Sequence, residues 1–172
     1  IQTTPIQLCL MTAQIANGGY KIYPQIVVED EIKEQPIDKY VPLYENSRNI
    51  RLVQDAMFGS TNEVMGTSYR SRIDNPKYQF AGKTGTAQVK KITERERELD
   101  LKTFEIPYDQ RDHALYIAFG PYKHPRYALS VIVEHGGNGS TTAAPMAKKL
   151  FKLIIDRHEL RNKQSNFERI TI

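Results

Sequence analysis

Between Tyr78 and Val89 the chain reads YQFAGKTGTAQV, and no other segment restricts its fold as much. Tyr78, Gln79, Phe80, Ala81 and Val89 make a strand-like run, and threonine is a residue that strands favour. Gly82 and Gly85 interrupt the run. Glycine inside a strand marks a bulge or a close backbone approach by something else. A substrate lying along the strand edge is one such visitor. Lys83 can set a fixed positive charge beside a reacting hydroxyl. Thr84 and Thr86 can offer hydroxyl donors to a carboxylate. Gly85 leaves room for a substrate, and the Thr86 N–H can face a developing oxyanion, a contact typically worth ~3 kcal/mol of barrier. Strand parity sends Thr84 and Thr86 one way and Lys83 the other. A plain sheet edge with a solvated lysine and two surface threonines uses the same residues. The triplet alone leaves both readings open.

The flanking sequence supplies the frame for this strand. Thr4-Pro5-Ile6-Gln7 predicts a helix start: Thr4 caps, Pro5 takes the first helical position, and Gln7 completes a capping box. Leu8, Leu10, Met11 and Ile15 spread around the following turns, which predicts a buried helix, and Asn17-Gly18-Gly19 stops it. Tyr20–Val28 reads as an edge or irregular strand because of Pro24, and Glu29–Glu45 as a surface excursion. Ile50, Val53 and Met57 give a second helix closing near Gly59, with Ser47 as its cap. Ser60–Lys77 reads as loop. Lys90–Asp112 is a charged insertion, with a short polar helix expected after Thr93.

Ala114–Gly120 and Tyr127–His135 predict an antiparallel hairpin around PYKHPR, pairing in turn with Tyr78–Val89. A last helix is expected from about Thr142, with Met146, Leu150, Leu153 and Ile154 as its apolar stripe, widened by Phe151. Lys148, Lys149, Lys152, Arg157 and Arg161 lie on its other face, and the tail from Glu159 is expected to fray. The fold class is therefore α/β of the α+β type: a mostly antiparallel sheet with helices packed on its faces.

Composition excludes more than it assigns. A chain of 172 residues can hold one domain with a real core. Its net charge of +4 permits an acidic partner without arguing for one, and no nucleic-acid partner is expected. No run of about 20 apolar residues exists to span a bilayer. Cys9 is the single cysteine, and His113, His124, His135 and His158 show no metal-ligand spacing, so no metal or cofactor is expected.

Four segments occur in a telling order: TTPIQLCLMTAQIANGGYKIYPQIV (Thr3–Val27), FAGKTGTAQV (Phe80–Val89), RDHALYIAFGPY (Arg111–Tyr122) and YALSVIVEHGGNGS (Tyr127–Ser140). Together they resemble the C-terminal part of the transpeptidase domain of class B penicillin-binding proteins, above all the elongation-type subgroup, penicillin-binding protein 2. Lys-Thr-Gly on a strand is one of three signature elements of penicillin-recognising serine enzymes. The resemblance implies a D,D-transpeptidase that cross-links peptidoglycan stem peptides through an acyl-serine and binds β-lactams. By matching position, Lys83 becomes the electrostatic partner of the serine-containing second motif. Thr84 and Thr86 hold the substrate carboxylate, Gly85 gives it space, and the Thr86 N–H completes the oxyanion hole.

The departure from the family pattern is large. No serine here is followed three places later by lysine, and Ser47-Arg48-Asn49 matches the second motif only formally. The whole chain, 1–172, is therefore expected to be the nucleophile-free C-terminal part of such a domain, inactive alone. The resemblance also implies the periplasmic face of the bacterial inner membrane, an anchor outside this sequence, and a lipid-linked glycan polymerase of the elongation machinery as partner. A serine β-lactamase or β-lactam sensor, and a non-catalytic scaffold of the same fold, stay open as alternatives.

Overall fold

The computed structural model describes residues 2–24, 26, 41–90 and 101–170, with side chains up to residue 162. Its centre is an antiparallel sheet of three strands in the order β1-β2-β3: β1 Ala81–Ala87, β2 His113–Gly120 and β3 Tyr127–Val133. Lys83 lies opposite Ile117, Thr84 opposite Tyr116 and Thr86 opposite Ala114, while Ile117 meets Ser130 on β3. The expected pairing of all three segments is present. The paired part of the first is shorter than Tyr78–Val89.

Alternation along β2 divides the core. Ala114, Tyr116 and Ala118 face one side and pack with Phe80, Leu129 and the last helix, α3 (Ala143–Ile170). Ile117 and Phe119 face the other, where Ala81, Ala128 and Met57 join them. That second side is covered by α1 (Pro5–Ala16) and α2 (Ser47–Asn62). Phe80 and Phe151 stack at 4.9 Å between ring centroids, both fully buried.

Helix α1 starts as its sequence dictates. The Thr4 hydroxyl accepts from the Gln7 N–H at 3.3 Å, and the Gln7 Oε1 accepts from the Thr4 N–H at 2.8 Å. The expectation that α1 is buried all round is corrected: Thr12 is its only buried residue, and Ile6 and Met11 are exposed. One face packs on the sheet, and the other faces outward. At its end Gly18 and Gly19 take φ of +93° and +87°. A side chain at Gly19 would meet the Tyr44 ring at 2.5 Å and Ile50 Cγ1 at 2.8 Å. Gly19→Ala is therefore expected to cost about 1–2 kcal/mol, read as a lower melting temperature. An unchanged melting temperature would mean that the turn is held differently.

Further expectations need correction. Tyr20 forms a single bridge, to Pro42, in place of a strand running on through Pro24. Proline brings no N–H to a ladder, and residues 27 and 28 lie outside the described residues. Asn46, not Ser47, caps α2, its Oδ1 accepting from the Arg48 N–H at 2.9 Å, and the helix runs past Gly59 to Asn62. Residues 41–45 of the expected surface excursion are mostly exposed, and 29–40 lie outside the described residues. So do 91–100, where the short polar helix was expected; beyond them stand two 3-10 turns, Thr103–Glu105 and Tyr108–Gln110.

On α3 the buried face is Ala143, Ala144, Ala147, Phe151 and Ile155. Met146, Leu150 and Leu153 of the expected stripe are 45%, 40% and 67% exposed. Small residues let the helix axis approach the sheet, so alanines take the inner positions and the larger chains stand beside them. The helix also continues to Ile170 where fraying was expected from Glu159. Lys77 helps hold its outer turns by reaching Glu159 at 2.8 Å and Asp156 at 3.3 Å, and Tyr78 donates to Asp156 at 2.5 Å. These bonds hold the Asp156 carboxyl below its usual pKa, the Tyr78 hydroxyl being the largest cause.

Candidate active site

β1 is an edge strand, and its outer edge is organised from α2. A residue in a strand sends its N–H and C=O to the same side. The Phe80 carbonyl accepts from Asn62 Nδ2 at 2.9 Å, and the Gly82 carbonyl from Thr61 Oγ1 at 3.5 Å. Both point away from β2. By the same alternation Thr84 and Thr86 turn their backbone groups to that outer edge. The Thr84 carbonyl shows this directly, accepting from Lys83 Nζ at 3.0 Å.

The sequence put Lys83 opposite the two threonines, and its Cβ does start on the Ile117 face. The side chain then curls round the outer edge, where Nζ also donates to Thr84 Oγ1 at 3.3 Å. Thr67 Oγ1 lies 3.3 Å from Thr84 Oγ1 and 3.1 Å from Ser60 Oγ. The result is an exposed line of donors and acceptors: ammonium, two threonine hydroxyls and a serine hydroxyl. Beside it runs a groove of about 650 Å³ lined by Lys83, Thr67, Ser60, Met57 and Ile117. Thr86 is exposed one step further along, at a smaller pocket of about 280 Å³ with Gln110, Asp112 and Asn138. A carboxylate along this edge would meet one cation and several hydroxyl donors, with Asp55 and Glu63 also among the residues that line the groove.

What fixes the line is a buried hydroxyl cluster that the sequence did not reveal. Tyr116 Oη lies 2.9 Å from Thr61 Oγ1 and 3.0 Å from Ser68 Oγ. All three residues are essentially inaccessible. Burial raises the Tyr116 pKa above its usual value, while the Ser68 and Thr61 hydrogen bonds pull it down. A neutral Tyr116 thus ties the end of α2 and the loop after it to the sheet directly beneath Gly82. Buried hydroxyls satisfied in this way are firm anchors, because leaving one unpaired costs ~1–3 kcal/mol.

Gly82 receives a different explanation from the one expected. A Cβ on Gly82 would run into the Tyr116 hydroxyl and come within 2.5 Å of its Cζ. Gly82 accommodates a tyrosine from the neighbouring strand. Gly139, before α3, is the other close approach: a Cβ on it would reach the Leu115 oxygen at 2.4 Å and the Gly85 oxygen at 2.6 Å. That contact brings the glycine-rich turn leading into α3 down onto the sheet. Ser47, the formal second-motif match, stands exposed at the end of α2 remote from Thr61 and lines no part of the groove. The signal that could have found Thr67 is its place five residues beyond the end of α2, in a loop that must pass β1.

Residues 1–152 match the family described as penicillin binding protein transpeptidase domain. The peptidoglycan D,D-transpeptidase MrdA of Salmonella typhimurium is 32% identical over 159 residues, covering 89% of this chain and 25% of that protein. MrdA of Haemophilus influenzae is 30% identical, covering 90% of this chain and 24% of that protein. Among solved structures, the complex between a penicillin-binding protein, PBP2, and MreC from Helicobacter pylori aligns with a TM-score of 0.70 and 28% identity. It covers 90% of this chain and 25% of that one. Pseudomonas aeruginosa PBP2 in complex with WCK 5153 aligns with a TM-score of 0.63 and 32% identity, covering 88% of this chain and 30% of that one. This chain spans about a quarter of the length of the curated relatives it matches.

Proposed function

This chain belongs to the penicillin-binding protein transpeptidase family, and from that premise we propose that it forms the Lys-Thr-Gly side of a peptidoglycan D,D-transpeptidase cleft. The observation that carries the reading is the convergence of Lys83 Nζ, Thr84 and Thr67 hydroxyls on the outer edge of β1, beside the 650 Å³ groove. A serine from outside these 172 residues attacks the carbonyl carbon of the penultimate D-Ala of one stem. The peptide bond breaks, terminal D-Ala leaves, and an ester remains on the serine. An amine of a neighbouring stem then displaces the serine and forms the cross-link.

In this reading Lys83 contributes positive charge beside the serine-containing second motif. The Thr84 and Thr86 hydroxyls hold the terminal carboxylate, Gly85 leaves the space it occupies, and the Thr86 N–H faces the oxyanion. A β-lactam takes the same seat and acylates the same serine. The domain assignment, 1–172 as the nucleophile-free C-terminal part, belongs to this proposal. So do a site on the periplasmic face of the inner membrane and a glycan-polymerising partner within the elongation machinery. Among the described residues no helix is long and apolar enough to cross a membrane.

Acyl transfer needs an activated nucleophile, so the isolated chain is expected to form no adduct. The measurement is incubation with a fluorescent penicillin followed by a denaturing gel. A band that unlabelled penicillin competes away would contradict the account. The full-length protein, under the same conditions, should label.

A further inference from the structure

A second groove, of about 720 Å³, lies between the loop after α2 and the first turns of α3. Arg70, Lys148, Lys149 and Lys152 line it, with Thr67 and Ser140 among its hydroxyls, and no acidic residue does. Among the described residues no ion pair joins these four cations to a carboxylate. Asp156, one turn beyond Lys152, is already engaged by Tyr78 and Lys77. Four like charges facing one cleft repel one another, and a cleft of one sign concentrates counter-charge. The sequence put these lysines on a solvated helix face; the fold makes them a wall.

Thr67 belongs to both grooves, and its hydroxyl is 3.3 Å from Thr84 Oγ1. The basic groove is therefore continuous with the strand edge. We infer that it is a docking site for an acidic peptide, receiving side carboxylates of a peptidoglycan stem whose reacting end lies at β1. This rests on the transpeptidase reading above for the identity of the peptide. Ammonium and guanidinium groups form charge-assisted hydrogen bonds with carboxylates, and the hydroxyls add neutral donors. Arg70 faces the groove from the loop and the lysines from α3, so an extended strand can be held from both sides.

The test compares the full-length protein with its Lys148→Gln/Lys149→Gln/Lys152→Gln variant. Fluorescence anisotropy follows a labelled stem pentapeptide with free carboxylates, and the same peptide with its side carboxylates amidated. The variant should bind the acidic peptide roughly tenfold more weakly and the amidated one equally, and arginine at the three positions should restore binding. Added salt should weaken the wild-type complex with the acidic peptide. Labelling by a fluorescent penicillin, which needs the serine and the strand edge but not the basic groove, should proceed at the wild-type rate in the variant. Failure of the wild-type protein to label would overturn the transpeptidase reading, while the peptide measurement still judges the groove. Equal binding of the acidic peptide by both proteins overturns the inference. So does a loss confined to phosphatidylglycerol vesicles, which would assign the lysines to a membrane surface.

Discussion

Lys83→Ala in the full-length protein should lower the second-order rate constant for penicillin acylation by about two orders of magnitude, comparable to losing one preorganised electrostatic partner. The ammonium is bound to Thr84 through both its carbonyl and its hydroxyl, at 3.0 and 3.3 Å. Removing it frees the Thr84 side chain and, in the proposed cleft, takes away the charge beside the reacting hydroxyl. Lys83 is exposed and supports no buried contact, so the melting temperature should stay within the range of an ordinary surface change, under ~0.5 kcal/mol. Thr84→Val should be milder, acting mainly on carboxylate binding. A folded Lys83→Ala protein that acylates at the wild-type rate would return Lys83 to the status of a solvated edge residue.

Gly82→Ala should be the most damaging single methyl in the sheet. The new Cβ points at a tyrosine that cannot step aside, because Thr61 and Ser68 bind its hydroxyl and Phe80 packs edge-on to its ring at 6.4 Å. Overpacking of this kind costs ~1–3 kcal/mol, and breaking the buried hydroxyl bonds adds to it. The expected total is about 3 kcal/mol or more, by the same two principles. Gly85→Ala is the comparison and should cost less, since its Cβ would meet only Leu115 Cβ, at a tight 3.3 Å. Adding Tyr116→Leu to Gly82→Ala should recover part of the loss, a coupling that a double-mutant cycle isolates. A Gly82→Ala protein that melts like wild type would show that Tyr116 does not occupy the space assigned to it.

Features written in short stretches of sequence were legible. The cap of α1 lies within Thr4–Gln7, where the hydroxyl, the proline and the glutamine are neighbours. The three strands follow from alternation and the turn between Gly120 and Tyr127. The support of the site was not legible, because its parts are far apart in the chain. Tyr116 meets Ser68 across 48 positions and Thr61 across 55. No local pattern distinguishes those hydroxyls from surface ones. The reading of Gly82 as a place for a substrate failed for the same reason: the visitor was a side chain from the paired strand. On α3 the apolar pattern gave weight to large residues, whereas packing against a sheet at close range selected Ala143, Ala144 and Ala147. The course of Lys83 round the strand edge also lay beyond parity, which fixes the direction of a Cβ and not of a four-carbon stem.

On the proposed reading, the outer edge of β1 holds the substrate. The most direct measurement is a crystal structure of the full-length protein acylated by a β-lactam. The drug's carboxylate should lie within hydrogen-bond reach of the Thr84 and Thr86 hydroxyls, its carbonyl oxygen on the Thr86 N–H, and Lys83 Nζ should face the acylated serine's neighbours. An adduct whose carboxylate lies away from β1, with the edge from Lys83 to Thr86 untouched, would contradict it.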